Sequence, residues 1–183
     1  MGSSIRSDDH LKLGAWKTLR LVREARNKDY GKLTQKFLAL AFLDIGANRV
    51  TDRAVQGIDL EVVLADRNLA FEVKTTAGSG VYVSSKDLDG LQARREEGFG
   101  TMLAVLGGQL TDEWLFLPVP GTDLRADMRF EINRMSPFAD KALSQLIQVS
   151  FEKMVVDYGE EAIKGSQPAL NRILEAYANY AIA

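Results

Sequence analysis

Apolar residues recur with a helical period over residues 11–28, where Leu11, Ala15, Leu19 and Val22 share one side of an otherwise basic stretch. Gly31 interrupts the pattern. From Leu33 to Ile45 the chain is apolar nearly all round, the mark of a helix buried on most sides. Gly46 and Asn48 supply its stop. The period then changes to two. Ile58–Ala65 reads as a strand, Asp66-Arg67-Asn68 as a tight turn, and Leu69–Thr76 as a second strand, so the pair is predicted to form a hairpin. Gly78-Ser79-Gly80 loosens the chain. Ser84 or Ser85 caps a helix running to about Glu97, with Leu88 and Leu91 inward and Gly98 and Gly100 beyond its end. Thr101–Leu106 is a continuous apolar strand of the kind found at a sheet centre, ended by Gly107-Gly108. Glu113–Val119 is another strand, and Pro118 puts that end at an edge or terminus. Residues 121–137 read as irregular and carry Arg125, Arg129 and Arg134. Helices are predicted over 138–158 and from Pro168, tolerated in a first turn, to about Ala181. The order implies an α/β fold with a mixed central sheet flanked by helices on both faces. Residues 1–30 form a basic N-terminal tail and helix, 31–137 the α/β core, and 138–183 a helical extension packed on the core or on a partner subunit.

Composition narrows the chemistry. The 183 residues suit one compact domain, and 46% hydrophobic with 26% charged residues is globular rather than disordered. The absence of Cys excludes thiol catalysis, disulfides and Cys-based zinc sites. A single histidine, His10, argues against a Ser-His-Asp triad or a multi-His metal site. The longest apolar run, Phe37–Leu43, is too short to span a bilayer, which takes ~20 residues. The start lacks a signal pattern. A cytoplasmic protein with no membrane partner and no organic cofactor is expected. The net charge of −2 argues at first sight against nucleic acid, but it is an average. Residues 1–36 carry nine basic and four acidic side chains, a formal +5, and the other 147 carry 14 basic and 21 acidic, −7. Lys17, Arg20, Arg23 and Arg26 recur every third residue and make a slowly winding stripe on a helix. Both a phosphate-facing arm and a solvated helix face fit that stripe.

The informative segment is Gly57-Ile58-Asp59-Leu60-Glu61 followed by Phe71-Glu72-Val73-Lys74. Strand side chains alternate faces, so Glu72 and Lys74 share one face about 7 Å apart, and Asp59 and Glu61 share a face of the preceding strand. A two-residue turn at Asp66-Arg67 pairs Asp59 with Lys74 and Glu61 with Glu72, which gathers all four on one patch. Charges within apolar strands are costly unless something uses them. Oxygen ligands from Asp59 and Glu72, with the Val73 backbone carbonyl and waters, suit Mg²⁺ or Mn²⁺. Lys74 is placed to orient or help deprotonate a water and to stabilise a pentavalent transition state.

This constellation resembles the PD-(D/E)xK nuclease superfamily, with its restriction-endonuclease-like fold. Asp59 matches the first acid, and Glu72 and Lys74 the (D/E)xK pair. The flanking elements over roughly residues 31–119 are similar to those of archaeal Holliday-junction resolvases and related small nucleases. The resemblance implies a Mg²⁺-dependent endodeoxyribonuclease, acting on branched or junction DNA and working as a homodimer. Two departures stand out. Gln35 takes the place of a helix-borne Glu common in relatives, and the strand begins without the namesake Pro. Gln35 still can ligate or orient, but brings no charge. Glu61 is either a supplementary ligand or a solvent-facing edge residue. Gln92 follows Leu88 by one helical turn and either reaches the site or lies exposed. Ser85 and Lys86, just beyond the catalytic strand, are candidate phosphate contacts alongside Lys17, Arg20 and Arg23. Trp16 and Trp114 read better as packing residues, and Tyr82 is a candidate for stacking on bases. Two other functions compete: a non-catalytic nucleic-acid-binding or assembly protein on a degenerate nuclease fold, and a metal-independent interaction protein whose Asp59, Glu72 and Lys74 form an ion-pair cluster.

Overall fold

Period-two segments of the chain assemble into one six-stranded mixed sheet, in the order β6-β5-β3-β2-β1-β8. The strands are β1 (Arg49–Asp52), β2 (Leu60–Leu64), β3 (Arg67–Thr75), β5 (Gly100–Leu106), β6 (Leu115–Val119) and β8 (Tyr180–Ile182). A separate two-stranded ribbon joins β4 (Gly80–Val83) to β7 (Met128–Glu131). The structure, a computed structural model, describes residues 7–53, 58–109 and 112–183. Gly57 of the expected motif therefore lies outside the described residues.

Helix α2 (Tyr30–Asp44) is buried along nearly its whole length, as its unbroken apolar sequence requires. It lies between the sheet and α5 (Lys141–Leu174), which also packs on α1 (Ser7–Ala25). α2 ends as expected at Gly46, whose φ of +86° lets the Ala47 N–H reach the Phe42 carbonyl at 2.9 Å. Helix α3 (Ser85–Glu96) covers the other face of the sheet. Its cap is Ser84, in a reciprocal capping box with Asp87. A short helix, α4 (Ile132–Met135), follows β7.

The principal core lies on the α2 face. Phe42 of α2, Phe71 of β3 and Phe116 of β6 form an aromatic triangle with centroids 5.2–6.1 Å apart, extended by Trp114 and by Phe151 of α5. Trp114 is thus a core residue. Tyr82, by contrast, is exposed and donates to Asp127. β5 is buried at the sheet interior and β6 is an edge, as Pro118 requires.

Four expectations are corrected. The hairpin turn is Ala65-Asp66, with Ala65 at φ +53°, rather than Asp66-Arg67. Leu60 accordingly faces Phe71 and Glu61 faces Ala70. β1 was not anticipated, because its four residues, Arg49–Asp52, are too few to show a period. The irregular stretch over 121–137 contains β7 and α4. At the C-terminus, the helix from Lys141 continues past residue 158 to a break at Ser166 (φ 51°, ψ −148°), resumes with Pro168 in its first turn, and stops at Leu174. The residues expected to finish as helix instead form β8, parallel to β1.

Candidate active site

β3 is apolar on the α2 face through Leu69, Phe71 and Val73, so its alternate residues Ala70, Glu72 and Lys74 turn toward α3. The one-face prediction for Glu61, Glu72 and Lys74 therefore holds, because moving the turn by one residue shifts the pairing by two and preserves parity. Asp59 stands just before β2. Its N–H donates to the Phe71 carbonyl at 2.9 Å, and its Oδ2 accepts from the Val73 N–H at 2.9 Å. The carboxylate thus replaces a rung of the ladder and is held beside Glu72.

Glu72 is buried and accepts a hydrogen bond from the Lys74 ammonium at 2.8 Å. Burial, reinforced by the negative charge of Asp59 and only partly offset by Lys74, pushes the Glu72 carboxyl up to about 7. Lys74 has a second partner, Asp87 Oδ2, also at 2.8 Å. Burial alone lowers the lysine, but its bonds to Asp87 and Glu72 outweigh that and raise it. Asp87 is held in turn by the Ser84 N–H at 2.8 Å. Burial raises its carboxyl, while Lys74 and the Ser84 amide bring it below the ordinary value.

Gln35 projects from α2 to the same end of the sheet and is 2% exposed. Its Nε2 donates to Asp52 Oδ1 at 2.8 Å and to the Asp59 carbonyl at 3.1 Å. Its Oε1 accepts from Lys32 Nζ at 2.9 Å, and the same ammonium lies 2.7 Å from Asp59 Oδ1. Behind Gln35, Asp52 Oδ2 is 2.9 Å from Lys36 Nζ and accepts from the Tyr180 hydroxyl at 3.2 Å. Gln35 is thus fixed by a buried polar network that reaches the C-terminal strand.

The remaining candidates divide. Glu61 is ion-paired, 2.9 Å from Arg53 Nη2 and 2.8 Å from Arg94 Nε. It is buried, which overturns the solvent-facing alternative. Gln92 is exposed on α3 and bonds to Glu96, because Asp87, Leu88, Leu91 and Arg94 take the inward side of that helix. Ser85 and Lys86 occupy the first turn of α3, next to Asp87. Lys17 and Arg20 are exposed on α1, with Arg20 over the Trp16 ring and beside Glu24. Arg23 stacks on Tyr30 at 4.4 Å and lies against Gly108, just past β5.

Sequence reasoning missed Lys32, Asp52, Asp87, Arg53 and Arg94. The one signal for them was local: Lys32 lies one turn before Gln35, and Asp87 three residues after a capping serine.

Among the described residues, no group of three or more His, Cys, Asp and Glu side chains is arranged to hold a metal ion. A cation here would rest on Asp59 and Glu72, supplemented by backbone or amide oxygens and water. That is the ligand economy of Mg²⁺, which keeps several waters and takes one or two carboxylates.

No protein-family model matches the chain, and no curated protein matches it. Among solved structures it is similar to Hjc, a Holliday junction resolvase from the archaeal hyperthermophile Archaeoglobus fulgidus. The TM-score is 0.52 at 18% identity, and the match covers 63% of this chain and 95% of that one. Among the described residues, no helix is long and apolar enough to cross a membrane. With a mixed sheet flanked by helices, Asp59 before β2 and Glu72-Val73-Lys74 on β3, the chain has a restriction-endonuclease-like fold similar to that of this resolvase.

Proposed function

We propose that the protein is a divalent-metal-dependent endonuclease that hydrolyses phosphodiester bonds in DNA, with branched or junction DNA as its substrate. The observation that carries this reading is the juxtaposition of Asp59, Glu72 and Lys74 at one end of the central hairpin, with Lys74 held at 2.8 Å from both Glu72 and Asp87. The likeness to a protein named a Holliday junction resolvase supports the choice of branched DNA.

In this reading Asp59, Glu72 and the Val73 carbonyl hold Mg²⁺ or Mn²⁺. Such an ion, when bound, would supply Lewis-acid stabilisation of a phosphoryl oxygen and make water more acidic. The chain does the rest. The Val73 amide orients the Asp59 carboxylate. Gln35 fixes the Asp59 backbone. Lys74, tied to two carboxylates, stays an ammonium at neutral pH and donates to the charge that develops on the phosphate. Asp87 sets its direction. Ser85 and Lys86 at the start of α3, with Lys17, Arg20 and Arg23 of α1, supply phosphate contacts. Residues 31–137 make up the nuclease unit, and the N-terminal helix and the segment 138–183 serve DNA binding and a homodimer in which each site cuts one strand. The protein works in the cytoplasm.

The test is cleavage of four-way junction, flap, duplex and single-stranded DNA with Mg²⁺ or Mn²⁺. Asp59→Ala, Glu72→Ala and Lys74→Ala are expected to lose at least about 100-fold in rate with unchanged circular dichroism. Wild-type rates in these variants would sink the assignment. One observation favours the runner-up, a non-catalytic DNA-binding protein: both Asp59 and Glu72 already face an ammonium. Junction binding without cleavage under any divalent ion would select it.

A further inference from the structure

The Gln35 amide can point only one way. Both of its N–H bonds are spent, on Asp52 and on the Asp59 carbonyl, so its oxygen is turned toward the Asp59 carboxylate. Gln35 Oε1 and Asp59 Oδ1 then converge on a single point, and the Lys32 ammonium stands there, 2.9 and 2.7 Å away. Lys32 sits in the first turn of α2, where the helix dipole disfavours a cation. Helix formation therefore does not account for a lysine at this place, whereas the two converging oxygens do. With Gln35 2% exposed, withdrawal of the ammonium would leave a buried carbonyl oxygen without a partner.

We infer that Lys32 is a resident cation of the site, and that each chain holds one divalent ion, between Asp59 and Glu72, rather than two. The inference rests on the nuclease reading above. A second ion at the Lys32 position would meet a neutral amide and one carboxylate already shared with the first ion. It would also have to expel an ammonium at contact distance. The lysine side chain remains 53% exposed and has three donors, two of them engaged. The third is free to meet a phosphate oxygen of the bound strand. The neutral Gln35 is thus matched to Lys32, an amide oxygen to an ammonium.

The test counts Mn²⁺ bound to the full-length metal-free protein by calorimetry and by electron paramagnetic resonance. Wild type is expected to bind one ion per chain. Gln35→Glu alone is expected to bind one, since Lys32 pairs with the new acid. The double variant Lys32→Met, Gln35→Glu is expected to bind two. Two ions in wild type overturn the inference and leave the nuclease reading standing. So does a single ion in a double variant that keeps the wild-type circular dichroism. Should the double variant fail to fold, the wild-type count alone still decides. No bound ion in wild type, with no cleavage, overturns the nuclease reading and this inference with it.

Discussion

The two faces of the central sheet are built on different principles. Toward α2 the sheet presents Leu60, Val62, Leu69, Phe71, Ala104 and Phe116, all essentially buried, and the aromatic triangle bonds nothing by charge. Toward α3 the same strands present Glu61, Glu72 and Lys74, and α3 answers with Asp87 and Arg94. The apolar clusters on that side are small, one around Val81, Leu103 and Leu117 and one around Ile58, Ala70 and Leu91. Burial of apolar area stabilises without regard to direction, at roughly 25 cal/mol per Å². Charged groups cost desolvation free energy and repay it only in a fixed geometry. The α2 face thus holds the fold, and the α3 face spends part of that stability on orienting charges.

Phe71 and Glu72, adjacent on β3 but on opposite faces, give the sharpest way to break that contrast. Phe71→Ala removes the centre of the aromatic triangle and is expected to cost about 3–5 kcal/mol, read as a lower urea midpoint. Glu72→Gln removes a buried charge that faces Asp59. It is expected to leave stability unchanged or raise it by about 1–3 kcal/mol while abolishing cleavage. A loss of stability as large as that of Phe71→Ala would show that the charges hold the fold as well.

Arg94→Ala probes the polar face from the helix side. It leaves Glu61 buried with Arg53 as its remaining partner, and a loss of about 1–3 kcal/mol is expected in chemical denaturation. Double variants with Arg53→Ala should lose more than the sum of the singles, because the second removal strands the carboxylate. Asp87→Asn acts at the helix cap and at Lys74 together. The cap loss is about 1 kcal/mol, and the cleavage rate is expected to fall about tenfold as Lys74 loses one of its two anchors. A cleavage rate unchanged in this variant would mean that Glu72 alone positions the lysine.

How legible each face was follows from the same difference. The α2 face could be read from periodicity, because Leu33 to Ile45 and Thr101 to Leu106 carry unbroken apolar signals and each glycine stop lies where the chain turns. The alternation Phe71-Glu72-Val73-Lys74 placed the two charges on one face whatever the turn, so a turn misplaced by one residue moved Asp59 along β3 without moving it across the sheet. The partners of those charges were not legible. Asp87, Arg94, Arg53 and Lys32 come from elements far along the chain or from the short segment before β2, and one sequence does not tell which polar residue of a helix turns inward. Gln92 shows the ambiguity that results: spacing from Leu88 left it either reaching the site or exposed, and with Asp87 and Leu91 buried it lies on the exposed side. β8 was hidden by composition, since Ala-rich residues near the end favour helix until the edge of β1 offers hydrogen bonds to Asn179 and Ala183.

The apolar face is not free of ions: Lys36 of α2 meets Asp52 of β1 at 2.9 Å in a buried pair, and a weaker link between α2 and α5 sets the lower end of the scale. Asp44, in the last turn of α2, accepts from Ser150 Oγ and Lys153 Nζ of α5, both at 2.7 Å. An acid at a helix C-terminus is unfavourable by the dipole. Partial burial also raises its carboxyl, but the bonds from Lys153 and Ser150 prevail and hold it below the ordinary value. A carboxyl lowered by folding contributes stability above its unfolded pKa, near 3.9, and loses it as pH falls through the folded value. Lys153 is half-exposed, so the pair is expected to be worth under about 1 kcal/mol. Asp44→Asn should therefore lower the urea midpoint slightly at pH 7 and not at pH 2, in low salt more than in high. Equal losses at both pH values would assign the effect to the Ser150 hydrogen bond rather than to charge. The link between α2 and α5 would then be polar without being ionic, and the buried Lys36–Asp52 pair would remain as the ionic contact of α2 with the sheet.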